Sequence, residues 1–306
     1  MPALFDAYIM VDWSAASKPA TGPNSIWIGL LMKDARLKLQ FKAVNIDTRL
    51  KARAFIEDIV AKLTKRGDKV LLGFDFSLGY PAGTAAALGL DMSKQAPWAA
   101  MHALLASRYK DKPDNNSRPR FAIAAGLNYT ISKGPYPFWG APPADRATTL
   151  SATKPDYPAD GPVAEFRLAE VQQRAKTGAS PKSCWQLYGA GSVGSQSLTG
   201  IPHVHALRQA WPKARIWPFE IGEGGPLTAD SLAGVEVVIA EIYPSLVRPA
   251  PEKGEVADEA QVRQIARYYA DLDEKSALSA LFSTGKSLSP EQIGIIIGEE
   301  GWILGV

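Results

Sequence analysis

The stretch "RLKARAFIEDIVAKLTKRGDKVLLGFDFSLGYP" (Arg49–Pro81) contains the change of period on which the fold turns. Leu50, Ala54, Ile56, Ile59, Val60 and Leu63 recur at helical spacing. Lys65 and Arg66 suit the negative end of a helix, and Gly67 suits the left-handed turn beyond it. "KVLLGF" then forms a continuous apolar run of strand length and releases an acid, Asp75, into the turn "SLGYP". A helix feeding a fully buried strand is the building unit of an α/β sheet.

Upstream, "ALFDAYIMVDW" predicts a buried strand that also ends on an acid, Asp12, before the small-residue turn "SAAS". "SIWIGLLMK" (Ser25–Lys33) and the alternating "LKLQFKAVNI" (Leu37–Ile46) predict a hairpin closed by Asp34, Ala35 and Arg36. The order is therefore strand, strand, strand, helix, strand. Far downstream, "VEVVIAEIYPSLV" (Val235–Val247) predicts another buried strand with an acid, Glu241, at its end.

Residues 82–180 differ in texture. Helical pieces such as "APWAAMHALLASRY" alternate with Pro-rich loops, "KGPYPFWGAPPADR" and "TKPDYPADGP". Tyr136, Phe138 and Trp139 argue for a packed lid or groove wall. We expect one domain over residues 1–306, with 82–180 as a helical insertion over the sheet's edge. "WQLY" and "ARIWPFEIG" read as further strands. "IPHVHALRQAWP", "ADEAQVRQIARYYADL", "EKSALSALFS" and "SPEQIGIIIGEEGW" read as helices. The apolar terminus "EEGWILGV" is expected to dock, with Trp302 buried.

Composition narrows the function classes. The net charge is only +3, too weak alone to argue for nucleic acid. One cysteine, Cys184, excludes an intramolecular disulfide and a thiolate zinc cluster, and three histidines make a His-rich zinc site a poor expectation. "MPALFDAYIM" lacks the basic head of a signal peptide, and no run reaches membrane-span length. A soluble, cytoplasmic protein is expected.

Asp12, Asp75 and Glu241 share one setting, the end of an apolar strand before a turn with Gly, Ser or Pro. Ligands of open α/β sheets bind beyond the carboxyl ends of the strands. Singly, each acid is a helix or turn cap; converging, they would repel unless a cation lay between them. An all-oxygen set suits Mg2+ or Mn2+, and such ions activate water and stabilise the leaving oxygen of a phosphodiester.

"VDWSAAS", "FDFSLGYP" and "AEIYPS", with "GSVGSQSLTGIP" (Gly191–Pro202), resemble motifs of a family of predicted RNase H-like nucleases related to RuvC and YqgF resolvase-type enzymes. The resemblance implies an RNase H-like core of a three-stranded meander, a helix and further parallel strands. It also implies divalent-metal-dependent hydrolysis of nucleic acid, with Asp12, Asp75 and Glu241 at the metals. The family places a further acid on a C-terminal helix. Here that segment is matched to "EKSALSAL", where Ser276 and Ser279 replace acids and Asp271 or Asp273 would have to substitute. Two other readings stand beside it: a nucleotide-binding or phosphotransfer protein of actin-like architecture, and a catalytically silent binding module.

Weaker signals compete. "GAGSVG" (Gly189–Gly194) fits a dinucleotide fingerprint, with Glu220 as ribose-binding acid, but Gly200 and Pro202 should interrupt the helix it needs. A Gly-rich turn beside the cleft is the better reading. His203 and His205 point in different directions on a helix, and Cys184 reads as a packed thiol. Arg108, Lys110, Lys112, Arg118 and Arg120 form a basic loop suited either to solvent or to phosphate contact.

Overall fold

The computed structural model describes residues 3–34, 36, 38–178, 180–248, 250–285 and 287–306. A six-stranded mixed sheet runs in the order β3-β2-β1-β4-β6-β5. β1 (Ala7–Asp12), β2 (Ile26–Lys33) and β3 (Leu39–Ile46) form an antiparallel meander. The turn between β2 and β3 closes through the Asp34 N–H on Lys38 O at 2.8 Å; Ala35 and Leu37 lie outside the described residues. β4 (Val70–Phe74), β6 (Val237–Glu241) and the short edge strand β5 (Ala214–Ile216) run parallel to β1.

α1 (Arg49–Arg66) connects β3 to β4 as the 3.6-residue period predicts. Thr48 caps its start by accepting from Lys51 N. Gly67, at φ 92°, stops it and returns its N–H to Leu63 and Thr64 carbonyls.

Strand alternation divides the core in two. Ala7, Ile9, Val11, Val70, Leu72, Phe74, Val237 and Ile239 face one layer, which α1 enters with Ala52, Ile56, Val60 and Leu63. Tyr8, Met10, Leu71, Val238 and Ala240 face the other, covered by α7 (Ala257–Glu274) through Val262, Ile265, Ala266 and Tyr269. Gly29 of β2 lets α7 sit close, since a Cβ there would lie 2.9 Å from Val262 O.

Between β4 and β5 the chain builds α2 (Thr84–Ala87), α3 (Pro97–Arg108), α4 (Pro119–Ser132), α5 (Leu168–Thr177) and α6 (Val193–Ala210). Met101, Leu105, Phe121, Ala124, Leu127 and Phe138 belong to the same apolar layer as α1. Most of the 82–180 segment, in which Ala179 lies outside the described residues, therefore thickens one face of the sheet, while α5 gives Leu168 and Ala169 to the other layer. α8 (Leu278–Leu281), α9 (Pro290–Ile295) and a π-helical turn (Ile296–Glu300) follow α7. Trp302 is buried, and Ile303 bridges to Glu241.

Three expectations are corrected. "WQLY" is no strand: Gln186 makes only an isolated bridge to Trp139, while Trp185 and Leu187 are drawn into the core. Gly200 and Pro202 do not interrupt α6. Gly200 is where the helix meets the Phe76 ring, 2.3 Å from a would-be Cβ, and Pro202 loses one backbone bond between buried Ile201 and Val204. The strand in "ARIWPFEIG" ends after Ile216, just before Pro218, which has no N–H to give the ladder. No helix among the described residues is long and apolar enough to cross a membrane.

Candidate active site

In register, Val11 lies beside Phe74 and Phe74 beside Glu241, so the acids ending β1, β4 and β6 reach the same edge of the sheet. Alternation then turns their side chains to different faces, although Asp75 and Glu241 still line one pocket of about 270 Å³ that adjoins the cleft at Asp12 through Gln196 and Gln261. Asp12 and Asp75 follow Val11 and Phe74 and turn toward the α7 face; Glu241 shares the face of Val237 and Ile239.

Asp12 and Asp75 are close enough to share a hydrogen bond. Asp75 Oδ1 accepts from the Trp13 N–H at 2.8 Å, and Asp75 Oδ2 from Gln196 Nε2 at 3.3 Å. Gln196 Nε2 also donates to Trp13 O at 2.6 Å, tying the start of α6 to both strand ends. Desolvation, then the charges of Asp75 and Asp258, push the Asp12 carboxyl well above the ordinary range. Desolvation raises Asp75 to about 7, against hydrogen bonds from Trp13, Asp12 and Gln196 that favour its charge. Among the described residues neither acid has a lysine or arginine ion-pair partner.

Glu241 is differently placed. Its Oε1 and Oε2 accept from Arg167 Nη2 and Nη1 at 2.6 and 2.7 Å, and Oε2 also takes the Leu78 N–H at 3.0 Å. Arg167 in turn grips Glu170 and the Glu300 carbonyl. All of this is buried, so Glu241 arrives at the strand ends already neutralised. Desolvation raises its carboxyl while Arg167 lowers it.

The acid that sequence reasoning missed is Asp258, in the first turn of α7. It lines an open cleft of about 660 Å³ together with Asp12, Ser14, Asn24 and Gln261, and its Oδ2 accepts from Asn24 N at 2.6 Å. Topology was the available signal: a helix that follows a parallel strand starts near that strand's carboxyl end. Asp273 lies near the other end of the 18-residue α7, about 22 Å along the helix axis from Asp258. It accepts from Leu4 N, Phe5 N and Tyr8 Oη, near the start of β1. Asp271 is exposed, and Ser279 bonds Leu227 O at that same far end. None of these residues reaches Asp12. Among the described residues, no three acids, histidines or thiols are grouped tightly enough to hold a metal ion.

The loop after α3 is neither a plain solvated loop nor a continuous basic strip. Arg108, Lys110, Lys112 and Arg118 are exposed and Arg120 is buried. Asp111 bonds His203 Nε2 and Arg49, and Arg49 also holds the Ser14 and Ala16 carbonyls. The loop is thereby fastened to the "SAAS" turn beside Asp12. Arg49 and His203 hold the Asp111 carboxyl down, at about 2, against its burial.

Gly189, Gly191 and Ser192 of "GAGSVG" form the opposite rim of the cleft. Glu220, the expected ribose-binding acid, is instead clamped by Arg208 and the Ile216 N–H. Cys184 is buried, and desolvation raises its thiol well above the usual value. No protein-family model, curated protein or solved structure matches the chain.

Proposed function

We propose that this cleft is the site of a divalent-metal-dependent nuclease with an RNase H-like core, cleaving phosphodiester bonds of nucleic acid. One observation carries the reading. Asp12 and Asp75 meet at adjoining strand ends and, among the described residues, have no lysine or arginine ion-pair partner, whereas Glu241 and Asp111 have their arginines. Two raised carboxylates held side by side disfavour their own ionisation, and a divalent cation removes that conflict. Mg2+ commonly binds through one or two carboxylates together with substrate phosphate and water, so this donor set fits it without a third protein ligand. The strand order β3-β2-β1-β4, with a helix after the meander and acids ending β1 and β4, supports the fold family.

Asp12 and Asp75 would hold the cation, with Asp258 facing it across the cleft. Bound there, the cation would activate a water and stabilise the leaving oxygen. Gln196 and the Trp13 N–H fix the Asp75 rotamer. Glu241 serves as a positioning residue: with Arg167 it anchors the end of β6 and the Leu78 backbone. Tyr188, 58% exposed on the cleft rim, offers a face on which a base can stack. The test is cleavage of end-labelled single- and double-stranded DNA and RNA with Mg2+ or Mn2+. Cleavage by the wild type, lost in Asp12→Asn and Asp75→Asn, is expected; ATP hydrolysis without strand cleavage would favour the phosphotransfer reading.

A further inference from the structure

Arg120 is a buried cation without a counter-ion. Only 7% of it is exposed, yet no carboxylate pairs with it among the described residues. Asp145, whose charge acts on Arg120, is itself held by Arg118 at 2.8 Å. Arg120 Nε donates to Ser195 Oγ at 2.7 Å, and Nη1 donates to Ser117 Oγ. Both hydroxyls commit their own protons elsewhere: Ser195 to Leu187 O at 2.5 Å, Ser117 to Ala15 O at 2.7 Å. They orient the guanidinium but do not neutralise it. Among the described residues no hydrogen bond engages Nη2; the guanidinium lies 4.2 Å over the Phe121 ring, and the side chain lines the cleft that holds Asp12.

Burying an arginine without an opposing charge is expensive, and such groups are normally paired. Burial lowers Arg120 to about 10, so it keeps its charge at neutral pH. Among the described residues no ion pair joins Asp12 to Arg120, although both line this cleft. Gly191, Ser192 and Ser195 bring the start of the 18-residue α6, with its positive dipole end, to the same cleft; the Val193 and Ser195 N–H groups there bond Gly191 O and Ser192 O. A planar fork with an open edge, over a helix N-terminus, matches a tetrahedral oxyanion.

We propose that Arg120, oriented by Ser117 and Ser195 at the start of α6, forms a subsite for a phosphate group of the substrate. The phosphodiester assignment rests on the nuclease reading, whereas the oxyanion site does not. The anion would supply the charge that the fold withholds from Arg120. It would also place a phosphate in the same cleft as Asp12.

The experiment is calorimetric titration of the full chain in metal-free buffer at constant ionic strength. The probes are inorganic phosphate and an oligothymidylate without terminal phosphates. Both are expected to bind the wild type, and Arg120→Gln to weaken both about tenfold or more, the loss of one charge-assisted contact. Arg120→Lys keeps the charge but loses the fork, and Ser195→Ala frees it; both are expected to fall between. Asp75→Asn is expected to bind phosphate at least as tightly as wild type, which separates this site from the metal site. Equal phosphate affinity in wild type and Arg120→Gln overturns the subsite. If Arg120→Gln does not fold, equal affinity in wild type, Arg120→Lys and Ser195→Ala overturns it. Loss of phosphate but not oligothymidylate binding overturns the phosphodiester assignment alone. Failure of metal-dependent cleavage, with these shifts intact, leaves the oxyanion site standing and removes the nuclease reading.

Discussion

The carboxylate of Asp75 accepts the backbone N–H of Trp13 at 2.8 Å, so the acid that ends β4 is fastened to the residue that follows the acid ending β1. That bond fixes Asp75 in place, but Asp12 and Asp75 lie so close that ionising both sets them in repulsion. The cleft holds charge stress, and stress of that kind shows up in stability.

Asp12→Asn should therefore raise stability while abolishing cation binding. Removing one of two crowded carboxyls is expected to gain about 1–3 kcal/mol at pH 8 without metal. Chemical denaturation of wild type and variant measures it. A variant less stable than wild type speaks against a repulsive pair.

The pH profile follows from signs. Asp75 and Asp12 have folded values above their unfolded ones, so their carboxylates bind protons more tightly in the native state. The stability they contribute is present below about pH 4 and is lost as pH rises through about 7. Asp111 is opposite: held at about 2, it contributes stability above about pH 4 that disappears as pH falls toward 2. Metal-free melting temperatures should fall from pH 5 to pH 8. Mg2+ or Mn2+ should flatten that limb in wild type and not in Asp75→Asn. A flat metal-free profile over this range contradicts the coupling.

Glu241→Gln separates an anchor from a metal ligand. Breaking the buried pair with Arg167 is expected to destabilise the fold by about 3–5 kcal/mol. Mn2+ affinity of the folded variant should change less than threefold. Titration calorimetry below the melting temperature decides it: a large loss of affinity with little loss of stability assigns Glu241 to the metal.

Gly200→Ala tests the packing of α6 on the sheet end. The added methyl would meet the Phe76 ring at 2.3 Å, and overpacking of this kind costs about 1–3 kcal/mol. A variant that melts with wild type would mean the contact is slack.

Much of the scaffold was legible in the sequence. The period change across Arg49–Pro81, the hairpin and the three acid-ended strands rest on local pattern, which the chain shows directly. The grouping of the acids depends on more than strand ends. Parity decides which face each acid takes: Glu241 turns away from Asp12, yet it still lines a pocket with Asp75. Arg167, distant in sequence, decides the charge that Glu241 meets. In sequence Asp258 is an ordinary first-turn acid of an amphipathic helix, and only the course of α7 brings it to the cleft. Arg120 was one of five basic residues in a loop; its burial comes from contacts with Ser117 and Ser195.

The most direct measurement is the anomalous difference map of a crystal soaked in Mn2+ at pH 8. The account predicts a peak bonded to an oxygen of Asp12 and an oxygen of Asp75, absent in Asp12→Asn crystals. No peak at this pair in the wild type under saturating Mn2+, or a peak held by Glu241 instead, would contradict it.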